Sequence, residues 1–400
     1  MTFLHPTRRG LLIGAGMASA GAFAGWTHTP AHSSLSGSRD PRFLQVILRG
    51  GMDGLAVAEP TFEPRLEQLR QGILLGNLGE AALPLQGGFV LNPKLKNLHE
   101  MYLRGEASIF HAVASPYRGR SHFDGQDFLE SGAAGGKALE TGWLNRALSV
   151  LPQKNGPARD GLAVSLTAPL IMRGKAPVIT WRGGGLRALR PESFSRLMEL
   201  YSADAPGLKS AFESGLTLTK LADEPPSGEG SPFVNGMRMA GQFFSKPEGP
   251  RIGMIDLDGW DTHAEEAPEG NNLGKALAEL DAGLAALKDA LGAHWKDTVV
   301  AVATEFGRTV RINGTEGTDH GTATVAFLVG GAVQGGRVIA DWPGLQDNNL
   351  FESRDLMPTM DIRSILKGVL SDHLGIAEGV LSDVVFPDSQ TVKPFSSLLV

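Results

Sequence analysis

The 400-residue chain contains no cysteine. That absence removes disulfides, thiolate zinc sites, iron–sulfur clusters and cysteine nucleophiles together, so any metal must sit on histidine, aspartate and glutamate. Positive charge is not in excess either, since 37 Lys and Arg against 43 Asp and Glu leave a formal net charge of −6. No nucleic-acid partner is expected, because binding driven by phosphate neutralisation needs a basic surface. Long apolar runs are lacking. A content of 42% hydrophobic and 20% charged residues is that of a globular chain, and it excludes disordered, collagenous and multi-span membrane classes. Punctuation, by contrast, is plentiful. With 52 glycines and 24 prolines, the chain is read as many short elements joined by shaped loops.

Thr7-Arg8-Arg9-Gly10-Leu11-Leu12 heads a weakly apolar, Gly/Ala-rich run through Gly25. Residues 1–33 read as a twin-arginine signal peptide, too short in its apolar part for the roughly 20 residues that span a bilayer. Its removal would leave no stable membrane span. The expected location is periplasmic or secreted, with the twin-arginine (Tat) translocase as a partner during export. That route carries folded proteins and so suits one that acquires a metal before export.

Phe43–Leu48 is a short apolar run without helical period that ends in Arg49-Gly50-Gly51-Met52-Asp53-Gly54. It reads as a buried strand running into a glycine loop that holds a carboxylate. Further strands are expected at Ala107–Ala114, Arg251–Leu257, Thr298–Thr304 and Thr324–Val329. Helices are expected around Leu95–Arg104, from Ser121 through Glu130, and at Leu273–Leu291, where apolar residues recur at spacings of three and four. This alternation predicts an α/β fold with a mostly parallel central sheet and helices on both faces. Residues 40–400 are expected to form a single domain. The stretch at about 150–250, richer in Gly, Pro and Ser, reads as an inserted cap.

In open α/β sheets the loops at the carboxyl ends of strands converge on one crevice. Four such places carry dense polar clusters: Arg49–Gly54, Arg120–Asp124, Asp258–His263, and the pair Thr304–Arg308 and Gly317–Gly321. Asp53 serves equally as a turn residue beside glycine, and Ser121 as the cap of the following helix. Asp261 and His263 flank Thr262, which puts both on one side of an extended segment, as two ligands of one metal require. Glu305 directly follows a buried strand and needs a cation, an arginine or water; Arg308 is an available partner. Asp319 and His320 arrive together between two glycines.

RGGMDGL (49–55), RSHFDGQDFLESG (120–132), GWDTH (259–263), TEFGR (304–308) and GTDHG (317–321) closely resemble, in order, the signature segments of the Tat-exported bacterial domain-of-unknown-function family numbered 1501. That family is grouped with the alkaline phosphatase superfamily. The resemblance implies an alkaline phosphatase-like fold in which Asp53 binds one metal, Ser121 is the nucleophile, and Asp261, His263 and His320 bind the other metal. It places Glu305 at the Asp of an Asp-His pair, whose histidine is replaced by Phe306 in this chain. His122 and Asp319 are further ligand candidates.

The function this implies is an exported metal-dependent hydrolase of small anionic phosphate or sulfate esters. Ser121 would attack, Asp53 and Glu305 would hold one ion, Asp261, His263 and His320 the other, and Arg308 would clamp the substrate. One or two divalent ions are expected, with zinc, manganese, magnesium and calcium not distinguished. The alternative is an exported binding or scaffold protein that keeps the fold without turnover, a reading Phe306 favours.

Overall fold

Strands form where the sequence runs apolar without a helical period. In chain order they are β1 (Arg42–Leu48), β2 (Ala58–Pro60), β3 (Leu83–Pro84), β4 (Phe89–Leu91), β5 (Ala107–Ala114), β6 (Gly161–Val164), β7 (Val178–Thr180), β8 (Ile252–Leu257), β9 (Thr298–Thr304), β10 (Thr324–Val329), β11 (Arg337–Ile339) and β12 (Met360–Asp361). The computed structural model describes residues 39–77, 79–151, 161–181, 230–266 and 272–400. The expected signal peptide and much of the expected cap lie outside them. Among the described residues no helix is long and apolar enough to cross a membrane.

Nine strands make the central sheet in the order β11-β5-β10-β9-β1-β8-β6-β7, with β12 also beside β5; β2, β4 and β3 form a small separate sheet. Pairing in the central sheet is parallel except where β10 runs antiparallel to both β5 and β9. The predicted mostly parallel sheet is therefore the one found.

Alternate residues of each central strand feed two cores, as the two-residue side-chain period requires. Leu44, Val46 and Leu48 of β1 and Val300 and Val302 of β9 face one core. Phe43, Ile47, Val299, Ala301 and Ala303 face the other. The first core is closed by helices α3 (Lys96–Leu103), α6 (Pro232–Ser245) and α7 (Asn272–Leu291). The second is closed by α4 (His122–Ser131), α5 (Trp143–Val150) and α8 (Ile362–Leu374). Helix α7 buries Leu273, Ala276, Leu277, Leu280, Leu284, Leu287 and Leu291, the stripe its sequence period predicts.

Part of the stretch expected as a cap is instead built into the sheet. β6 and β7 extend it beyond β8, and α6 packs beneath it. The weak periodicity there has a physical reason: strands of three and four residues are too short to register a pattern.

The reversed direction of β10 decides where the chemistry collects. The loops leaving β1, β5, β8 and β9 and the loop entering β10 all lie along one edge of the sheet. Near that edge β5 carries a register shift, with Ala112 in the left-handed region at φ 57°. Such a bulge bends the strand as it leaves the sheet.

Candidate metal centre

Backbone contacts stitch these loops together. The segments after β9 and before β10 pair through Gly307 N to Thr322 O at 2.9 Å and Gly321 N to Gly307 O at 2.8 Å, which sets His320 opposite Arg308. A Cβ on Gly321 would lie 2.4 Å from the Arg308 carbonyl carbon. After β1 the chain turns at Gly50 with φ +127°, and a Cβ there would stand 2.4 Å from the Asp261 nitrogen. Glycine is the residue that permits both the turn and the approach.

Arg308 locks the arrangement. Its guanidinium, 0% exposed, donates to the carbonyls of Gly50, Gly51 and Trp260 and, at 2.7 Å, to Asp261 Oδ1. A clamp on substrate needs free donors facing solvent, and these are buried and spent on the protein. Arg308 is thus a tie between the β1 and β8 loops, which corrects the role expected from its sequence position. Burial raises the Asp261 carboxyl, but the Arg308 bond and charge, with His320 and His122, hold it down at about 2.

Around Asp261 three imidazoles converge. His320 Nε2 lies 2.9 Å from His122 Nε2, 3.0 Å from His263 Nε2 and 3.1 Å from Asp261 Oδ1. Asp261 Oδ1 is in turn 3.0 Å from His263 Nε2 and 3.4 Å from His122 Nε2.

The other ring nitrogens fix the protons. His122 Nδ1 faces Glu305 Oε1 at 2.9 Å and His320 Nδ1 faces the Arg120 carbonyl at 2.9 Å. Both oxygens only accept, so each Nδ1 carries the hydrogen and each neutral ring presents a lone pair at Nε2. His263 Nδ1 points the same way, 3.5 Å from Asp319 Oδ1. Lone pairs at 2.9–3.0 Å repel unless a proton or a metal cation stands among them. Ligands roughly 2.0–2.1 Å from a tetrahedral zinc are separated by about 3.3 Å, close to the spacings here. His122, Asp261 and His320 bring their ligand atoms within 4.8 Å of one another, a mixed imidazole and carboxylate set that fits a divalent ion.

The two inner histidines are pushed apart in basicity. The Glu305 hydrogen bond raises His122, whereas burial lowers His320, reinforced by the His122 and Arg308 charges. The ring of Phe306 packs 4.9 Å from that of His122 and 5.2 Å from that of His320, forming an apolar wall behind both.

Of the residues singled out from the sequence, Asp261, His263 and His320 come together, joined by His122, while Asp319 stands behind His263. Glu305 is also at the centre but one bond removed from the converging atoms, accepting from His122. Asp53 is elsewhere. Its Oδ1 caps the one-turn helix α1 (Gly54–Val57) and its Oδ2 takes a 2.6 Å ion pair from Arg70, in α2 (Leu66–Arg70). Asp53 also hydrogen-bonds Glu266, whose carboxyl burial and the Asp53 charge hold above its ordinary range. An aspartate so engaged is a structural group, and the expected pairing of Asp53 with Glu305 around one ion is not the arrangement found. Ser121 caps α4, its Oγ accepting from the Asp124 amide at 3.4 Å.

Sequence reading missed Gln126 and the Arg120 backbone. Gln126 lies one helical turn after His122, the spacing that puts both on one face, and it bonds Glu305 at 3.0 Å.

Residues 110–385 match the family described as protein of unknown function (DUF1501). The chain belongs to that family. Among curated proteins none matches it. Solved structures similar to this DUF1501 chain include a Vibrio parahaemolyticus protein of the alkaline phosphatase superfamily, at 11% identity over 90% of this chain and 71% of that one, TM-score 0.43. Another is Ps i-CgsB in complex with k-i-k-neocarrahexaose, at 12% identity over 89% and 75%, TM-score 0.43. A third is the C-terminal periplasmic domain of EcEptC from Escherichia coli in complex with Zn, at 10% identity over 74% of each chain, TM-score 0.34.

Proposed function

We propose that this protein is an exported, metal-dependent hydrolase of phosphate or sulfate esters, built on one nitrogen-rich site. The observation that carries the reading is the convergence of His122 Nε2, Asp261 Oδ1 and His320 Nε2, with His263 Nε2 beside it, 3.0 Å from both Asp261 Oδ1 and His320 Nε2. His122, Asp261, His263 and His320 would hold the ion. When bound, it supplies Lewis acidity toward an ester oxygen.

The chain's own groups do the remainder. Asp261, kept ionised by Arg308, offsets part of the cation's charge. Phe306 excludes water from the inner side of the site, which strengthens the electrostatics there. Ser121 is the proposed nucleophile. It adjoins His122 at the amino end of α4, where the positive end of the helix dipole favours its alkoxide and an incoming anion. Export rests on the Arg8-Arg9 segment, and with it the Tat translocase as a transient partner.

A second reading is a non-catalytic binding or scaffold protein with a structural metal. It is favoured by the count of donors, since three imidazoles and a carboxylate already fill a tetrahedron, as closed structural sites do. One experiment separates the two. Protein purified from its exporting host is analysed for bound metal and assayed on aryl phosphates, phosphodiesters and aryl sulfates, alongside Ser121→Ala. Turnover that disappears in the variant supports the hydrolase. Turnover that survives rejects Ser121 as nucleophile, and bound metal without turnover on any ester favours the scaffold.

A further inference from the structure

The geometry points to Glu305 as a positioning residue that fixes the ring and proton of His122, and not as a ligand. This rests on the reading of the four converging atoms as a metal site. Glu305 stands directly after β9 with its side chain 0% exposed. Its Oε1 accepts three hydrogen bonds, from the Gly50 amide at 2.9 Å, Gln126 Nε2 at 3.0 Å and His122 Nδ1 at 2.9 Å. Its Oε2 accepts from the Thr304 hydroxyl at 2.9 Å. Oε1, the oxygen that meets His122, already receives three donors and has no lone pair left to offer a cation, while Oε2 is turned to Thr304.

The orientation of the relay is determined by its far end. Arg49 only donates, and its Nη1 meets Gln126 Oε1 at 2.9 Å, so the Gln126 amide must turn its Nε2 hydrogen toward Glu305. Arg49 is itself held by Asp256 at 2.6 Å and Glu130 at 2.9 Å. The chain Arg49, Gln126, Glu305, His122 therefore runs in one donor-to-acceptor sense until Glu305, where it meets the Nδ1–H of His122 from the opposite side. A carboxylate accepting from both directions leaves the His122 ring one tautomer, with its Nε2 lone pair aimed at His320 and Asp261. Such a partner raises the basicity of a ligating imidazole and removes its rotational freedom.

Glu305→Gln tests this with little change of shape. The glutamine keeps the shape but loses the charge, and its amide can turn either its oxygen or its NH2 toward His122 Nδ1, so neither tautomer is imposed. In metal-free protein, at a pH alkaline enough to keep the ring neutral, nitrogen NMR of the imidazoles is expected to show His122 almost wholly as the Nδ1–H tautomer in the wild type and a mixture in the variant. Zinc affinity, read by chelator competition, is expected to fall roughly 10–100-fold. Gln126→Leu, which cuts the relay while keeping the carboxylate, is expected to fall between wild type and Glu305→Gln, and thermal melts confirm that each variant is folded. An unchanged His122 tautomer in Glu305→Gln would overturn the proposal. So would zinc affinity within about threefold of wild type, since orienting partners contribute more than that. If wild-type protein bound no zinc, the metal reading would fail, and the tautomer measurement would still decide the role of Glu305.

Discussion

Arg308 Nη2 donates to Asp261 Oδ1 at 2.7 Å from a guanidinium with no solvent exposure, while the aspartate is half exposed. The pair faces inward at one end and outward at the other, so the arginine serves the loop and the carboxylate serves the site. Arg308→Met would leave the Gly50, Gly51 and Trp260 carbonyls and Asp261 without their donor. The expected result is a loss of roughly 1–3 kcal/mol in urea unfolding, set by the buried carbonyls left without a donor, since the half-exposed Asp261 is rehydrated. Arg308→Lys should recover only part of it, because an ammonium cannot reproduce the fork.

Asp53→Asn distinguishes the arrangement found from the one the sequence suggests. Zinc stoichiometry by elemental analysis should be unchanged, and His320→Ala should abolish it. Stability of the Asp53 variant should still fall, because Arg70 is left buried beside a neutral partner. Loss of metal in Asp53→Asn with an intact fold would restore Asp53 as a ligand.

Acid should weaken the fold over a defined window. His111 donates through Nε2 to the Ala58 carbonyl and accepts the Ala112 amide at Nδ1, so it is neutral when folded; burial takes it down to about 4. His373 is likewise lowered to about 4 by burial, its Nε2 on the Arg42 carbonyl. Both lie below the unfolded value near 6.5, so the unfolded chain binds the extra protons. The stability tied to neutral rings is complete above about pH 6.5, declines as pH falls and is gone below about pH 4, up to about 3 kcal/mol for each ring. Denaturation midpoints measured across that interval should slope and then level for these two groups. A further acid loss toward pH 2 belongs to Asp261, whose carboxylate must then be protonated.

Gly50→Ala and Gly321→Ala should each disable zinc binding, although neither glycine offers a donor. At both positions a methyl group meets backbone at 2.4 Å, and Gly50 adds a strained φ of +127°. Circular dichroism should show the sheet retained in at least one of the variants, with chelator competition reporting the lost site.

The sheet and its flanking helices were legible because burial on two faces forces continuous apolar runs, as in Thr298–Thr304, and burial on one face forces the Leu273–Leu291 stripe. The converging histidines were legible as His and Asp beside glycines at strand ends. Asp53 was not, because an Asp-Gly after a strand looks the same whether the side chain enters a crevice or caps a turn. What decides is Arg70, in a five-residue helix too short to announce itself. Nor does a sequence say whether an arginine faces solvent, and so Arg308 read as a clamp. Phe306, read only as a missing imidazole, turns out to brace the two rings that remain.

The antiparallel course of β10 brings the chain back to the rim it has just left, and the Arg308–His320 bridge closes that excursion at its base. Beyond the bridge the turn around Asn313–Glu316 reaches across to the His263 segment, Asn313 Nδ2 and Thr315 Oγ1 each donating to the His263 carbonyl at 2.8 Å. A change of length at that turn would therefore be felt first at His263, while the bridge at its base keeps His320 in place.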